Sequence, residues 1–142
     1  MKALVDANLL IAAFDQSHIE HTRANGFLQG LSEFFTTPQT QGAFLRFFSR
    51  PWTDAQGQRR EPRMATALAM SHLKTILALK QHRFLGDTLS FDKISMRSLS
   101  GFKQWNDAYL IALAASHRMK LATLDRKLEN MDDASNPIVH KV

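Results

Sequence analysis

The sequence predicts an α/β fold, a three-layer α/β/α sandwich around a mainly parallel central sheet. Two observations carry that prediction. Short apolar runs of strand length (KALV, EFFTT, KLATL) alternate with longer stretches of helical period, and such alternation places helices over a parallel sheet. The chain also has 142 residues, 44% of them hydrophobic. That suits one domain with a real core, so residues 1–142 are expected to fold as a single unit.

Taken in order, KALV (2–5) reads as a short buried strand, after which ANLLIAAF (7–14) turns helical. DQSH (15–18) is a turn, with Ser17 as N-cap and Glu20 three residues on in a capping-box pattern for a helix over 18–31. EFFTT (33–37) is a strand stopped by Pro38, which opens a helix over 39–49. Residues 50–63 mix Pro, Gly and charge without a period and read as an exposed loop. A helix is expected over 64–80, with Ala67, Leu68, Leu73, Ile76 and Leu77 on its apolar face. RFLGD (83–87) gives a short strand and turn, and SFDKISM (90–96) a short helix capped by Ser90. NDAYLIALAASHRM (106–119) is a helix, KLATLD (120–125) a buried strand ending in an acid, and IVHKV (138–142) an edge strand.

Composition narrows the function classes. There is no cysteine, which excludes disulfides and thiolate metal sites. No apolar run approaches the roughly 20 residues that span a bilayer, and the start of the chain lacks a signal-peptide pattern, so a cytoplasmic, non-membrane protein is expected. The net charge is +5 and the pI about 9.9, which makes a polyanion a plausible partner. Six histidines are scattered without a metal-ligand spacing and read as surface or packing residues.

Three aspartates stand out. Asp6 follows the first strand, Asp125 follows KLATL, and Asp107 opens a long helix. In parallel sheets ligands gather beyond the carboxyl ends of the strands, so adjacent strands make these acids neighbours. Such a cluster repels itself and is relieved by a hard divalent cation, Mg²⁺ or Mn²⁺. Each acid also has a purely structural reading, because each is placed to cap or flank a helix N-terminus.

Four blocks, LVDANLL (4–10), TPQTQGAFLR (37–46), NDAYLIALA (106–114) and LATLDRKL (121–128), resemble the signature blocks of PIN-domain ribonucleases. The likeness is greatest to VapC-like toxins of type II toxin–antitoxin pairs. The resemblance implies a PIN-like sandwich and a Mg²⁺- or Mn²⁺-dependent endoribonuclease that hydrolyses RNA phosphodiesters. It also implies a homodimer neutralised by a cognate antitoxin. Asp6, Asp107 and Asp125 match the catalytic, metal-binding acids, with Asn8 and Thr123 at supporting positions. Arg46, Arg59, Arg60 and Arg126 become candidate RNA contacts.

One departure stands in the second block, where Gln41 occupies the place read as the family's usual glutamate. A carboxamide there removes one negative charge, so restoring it with Gln41→Glu is expected to tighten metal binding. A catalytically weakened RNA- or protein-binding module is the alternative that this departure raises. Glu33 does not replace the charge, since it precedes its strand. Small-molecule phosphatase and receiver-domain readings lack their required acid and lysine positions, and no Gly-rich phosphate loop is present.

Overall fold

The computed structural model describes residues 1–96, 99–133, 135 and 137–142. β1 (Lys2–Val5) is followed by α1 (Ala7–Phe14), α2 (His21–Gly30), β2 (Glu33–Thr36) and α3 (Pro38–Ser49). A two-stranded insertion, β3 (Trp52–Thr53) and β4 (Arg59–Arg60), precedes α4 (Thr66–Leu77) and β5 (His82–Phe84). Then come α5 (Trp105–Ser116), β6 (Lys120–Thr123) and β7 (Val139–Lys141), with short 3₁₀ turns at Phe91–Lys93, Phe102–Gln104 and Arg126–Met131.

Five strands form one sheet in the order β5-β2-β1-β6-β7, and every pairing in it is parallel. The predicted sandwich is borne out by how side chains divide between its faces. Ala3 and Val5 of β1, with Ala122 of β6, pack into the core under α1, α2, α3 and α4. Leu4 and Leu121 point the other way, into the core under α5. Because both faces are covered, β1 and β6 are buried almost throughout, which is why they read as continuous apolar runs rather than alternating ones.

α1 is apolar nearly all round because it is enclosed, with Leu9, Leu10, Ile11, Ala12 and Ala13 all buried. Two polar side chains of α2 dock it there. His21 Nδ1 donates to Ala12 O and Asn25 Nδ2 donates to Ala13 O, both at 3.0 Å, satisfying carbonyls at the C-terminal end of α1. α3 begins with a capping box: Thr40 N donates to Thr37 Oγ1 at 3.2 Å, and Thr37 N to Thr40 Oγ1 at 2.8 Å, with Pro38 in the first turn.

Four expectations are corrected. Ser17 does not cap α2; its hydroxyl donates to Asp15 at 2.7 Å and the helix starts at His21, so the 15–18 turn closes on itself. Residues 50–63 are not an irregular loop. Asp54 accepts from Gln56 N, Gln58 N and Arg60 Nε at 2.9–3.0 Å, Gly57 supplies a φ of 79°, and β3 and β4 pair antiparallel. Arg63 lies 4.4 Å from the Phe47 ring centroid and 4.2 Å from that of Trp52, fixing the hairpin's base to α3 by cation–π contact. On α4 the buried residues are Ala69, Leu73 and Ile76, whereas Ala67 and Leu68 are exposed. Ser90 precedes a single 3₁₀ turn without a side-chain cap bond.

Candidate metal centre

The chain runs outward from β1 through β2 to β5 on one side and returns to β6 and β7 on the other. The reversal lies between β1 and β6, and crevices for ligands form beyond the strand ends at such a point. Asp6 leaves β1 there, and Asp125 lies just beyond β6.

Asp6 is 6% exposed. As the N-cap of α1 its Oδ1 accepts from Leu9 N at 2.8 Å, and its Oδ2 accepts from the hydroxyl of Thr123. Thr123 is fully buried and its Oγ1 in turn accepts from Asp125 N at 2.9 Å. One hydroxyl therefore ties the ends of two adjacent strands together. Burial pushes the Asp6 carboxyl up to about 6, with Thr123 and Leu9 opposing the rise and Asp107 and Asp125 adding to it. Burial, then the charge of Asp125, also raises Asp107.

Asp6 and Asp107 open on one cavity of about 510 Å³, whose lining also includes Asn8, Gln39, Ala43, Arg46 and Asp87. Three helices present first-turn residues to it: Ala7 and Asn8 of α1, Pro38–Thr40 of α3, and Asn106 and Asp107 of α5. Their positive N-terminal ends favour carboxylates and phosphates. Asp125 opens instead on a neighbouring cavity of about 350 Å³ with Asn8, His18 and Arg23. Its side chain accepts from Lys127 N at 2.8 Å, capping the 3₁₀ turn. Asn8 lines both cavities, but Asp6 is braced by Leu9 and Thr123 and not by Asn8.

Gln41 stands apart. Its Nε2 donates to Thr36 Oγ1 at 3.1 Å, and that buried hydroxyl lies 2.7 Å from His82 Nε2. Since one residue turns a helix by about 100°, the cavity receives Thr40, Ala43 and Arg46 and not Gln41. Of the candidate RNA contacts, Arg46 lines the cavity, lying close over Gly42, where a Cβ would meet its Nη1 at 3.1 Å. Arg126 is exposed beside Asp125. Arg59 and Arg60 sit on the hairpin, where Arg60 pairs with Asp54 at 2.9 Å.

Asp87 is the acid that sequence reading passed over. It lies three residues beyond β5, which is itself only three residues long, and Gly86-Asp87 reads as a turn. Burial raises its carboxyl, with Thr37 and Gln39 beside it opposing the rise.

The donors are carboxylate and amide oxygens, the chemistry that Mg²⁺ and Mn²⁺ take. Gln39 Oε1, on a cavity-lining residue, is buried with no hydrogen-bond partner among the described residues, a further oxygen of the right kind. Among the described residues no three acids or histidines lie close enough together to hold a metal ion by themselves. Asp6, Asp107 and Asp125 do act on one another at electrostatic range, and an ion held among them would have to keep several of its waters.

The comparisons agree with this architecture. Ribonuclease VapC29 of Mycobacterium tuberculosis is 36% identical over 132 residues, covering 92% of this chain and 91% of the relative. Ribonuclease VapC44 of the same organism is 32% identical over 137 residues, 90% and 89% of the two chains. In fold, the chain is similar to VapBC2 from Rickettsia felis bound to a promoter DNA fragment (TM-score 0.64, 11% identity, 99% and 98% coverage). It is also similar to Mycobacterium tuberculosis VapC20, a sarcin–ricin loop cleaving toxin (TM-score 0.62, 13% identity, 95% and 98% coverage). Residues 3–134 match the PIN domain, and with a parallel sheet delivering Asp6 and Asp125 to its switch point, the chain belongs to the PIN domain family.

Proposed function

We propose that this protein is a divalent-metal-dependent endoribonuclease, the toxin of a type II toxin–antitoxin pair, with Asp6, Asp107 and Asp125 as its metal-binding acids. The observation that carries this reading is the Thr123 hydroxyl, which joins Asp6 to the backbone of Asp125 across two parallel strands. A purely structural capping role for each acid gives no reason to link them. Relatives named as ribonucleases and fold neighbours that are toxin–antitoxin complexes support the activity and the antitoxin partner.

An ion held there supplies Lewis acidity for phosphodiester hydrolysis. The chain's own groups do the rest. Arg46 is placed to hold a phosphate against the acids, and the N-termini of α1, α3 and α5 add positive potential. No histidine or lysine is among the residues lining the larger cavity; its titratable groups are the carboxylates of Asp6, Asp87 and Asp107, so attack by the 2′-hydroxyl of RNA would have to draw its acid and base from the acids proposed to hold the ion. The cytoplasm is the proposed compartment and a homodimer the proposed form; no helix among the described residues is long and apolar enough to cross a membrane. The binding-only alternative rested on Gln41 as a site residue; its amide nitrogen is engaged with Thr36 and it is not among the residues lining the larger cavity, so nothing in the site supports that alternative.

Purified protein incubated with RNA and Mn²⁺ should cleave it, and both EDTA and Asp107→Asn should abolish cleavage. Equal cleavage by wild type and Asp107→Asn would assign the activity to a contaminant and sink the proposal.

A further inference from the structure

We infer that Asp87 is a fourth carboxylate of the metal-binding cavity, supplying from the end of β5 the negative charge that α3 does not provide. The inference rests on the metal-centre reading above and adds a residue to it.

The α3 face turned to the cavity carries Pro38, Gln39, Thr40, Ala43 and Arg46 and no acid. Gln41, the nearest carboxylate surrogate on that helix, is engaged with Thr36. β5 lies beside β2 on the outer edge of the sheet, so its C-terminal end comes up next to the start of α3. Asp87 there lines the same cavity as Asp6 and Asp107. Thr37 and Gln39 are its polar neighbours and lower its carboxyl against the rise from burial, and the capping box fixes Thr37 in turn.

Gln39 adds an independent sign of a missing ligand. Its side chain lies beside Asp87, yet its Oε1 is buried without a partner among the described residues. A buried carbonyl oxygen left unpaired is costly, and a hydrated cation between Asp87 and Asp6 offers water hydrogens to satisfy it. Asp87 also has a bland role, tying β5 to the first turn of α3. That role predicts a loss of stability without loss of metal affinity, so the two are separable.

Calorimetric titration with MnCl₂ of the metal-free full chain tests this. Asp87→Asn should weaken Mn²⁺ binding on the order of tenfold, whereas Asp87→Glu, which keeps the charge, should retain most of it. Unchanged affinity in Asp87→Asn, with Asp107→Asn clearly weakened, overturns the role of Asp87 and leaves the metal centre standing. No Mn²⁺ binding by wild type overturns both. Should Asp87→Asn fail to fold, the wild-type protein decides by carboxylate ¹³C NMR during a Mg²⁺ titration. A shift of the Asp87 resonance together with those of Asp6 and Asp107 supports the inference; an unmoved Asp87 overturns it.

Discussion

Asp6 concentrates the tension in this molecule. It is a buried acid whose carboxyl rises from 3.8 to about 6 chiefly through desolvation, so the folded chain binds its proton more tightly than the unfolded chain. Ionising it therefore costs the native state: the penalty is absent below the unfolded value of 3.8, grows up to about 6 and is complete above. Its full size is about 3 kcal/mol. Asp6→Asn removes it, so the metal-free variant should melt above wild type near pH ~7.5 and lose that advantage near pH ~4. Thermal scans at the two pH values check this, and a variant that melts lower at both would show that Asp6 is a structural cap first. Gln41 yields the opposite kind of prediction. Because its amide donates to the buried Thr36 hydroxyl, which lies against His82, Gln41→Glu should leave Mn²⁺ affinity unchanged. Tighter binding, the expectation from sequence, would put position 41 in the site after all.

At the scale of elements, the helix N-termini build the site and one C-terminus carries strain. Arg118, between α5 and β6, has a φ of 56°, a left-handed conformation that costs a residue with a Cβ about 1 kcal/mol. Arg118→Gly should therefore raise stability by about that amount, read as a higher melting temperature; a lower one would mean that the arginine side chain contributes more than its backbone costs. The legibility of each element followed from its physics. β1 and β6 were visible because burial on both faces makes them continuously apolar, and α3 because Pro38 marks its start; its cap, Thr37, read as the end of the strand. The β3–β4 hairpin escaped because strands of two residues show no period; its real signal was Asp54 with Gly57 closing the turn. Ser17 and Glu20 matched a capping pattern, but Asp15 captured the serine first.

For the whole molecule, topology made the cluster of acids readable. Placing Asp6, Asp107 and Asp125 near one another required only parallel strands with β1 beside β6, and the structure has both. What sequence could not convey was direction within the edge. Asp125 opens on a second cavity, Gln41 turns from the acids, and Asp87 enters through β5, too short to announce itself. The chain carries 18 Lys and Arg against 13 Asp and Glu, yet the larger cavity is acidic, with Arg46 its lining cation. RNA affinity should accordingly fall with rising salt, and Arg46→Ala should weaken RNA binding while leaving Mn²⁺ affinity intact, measured by filter binding and calorimetry. Loss of metal binding in that variant would instead make Arg46 a structural part of the centre.

The central claim is that carboxylates at the β1–β6 switch point hold an ion for hydrolysis by water, rather than serving as the acid and base for attack by the 2′-hydroxyl. The termini of the cleaved RNA test it most directly. Hydrolysis that expels the 3′-oxygen leaves a 5′-phosphate and a 3′-hydroxyl, and these are the ends predicted in Mn²⁺, with no product after Asp107→Asn. A 2′,3′-cyclic phosphate, formed equally well in EDTA, would contradict the account.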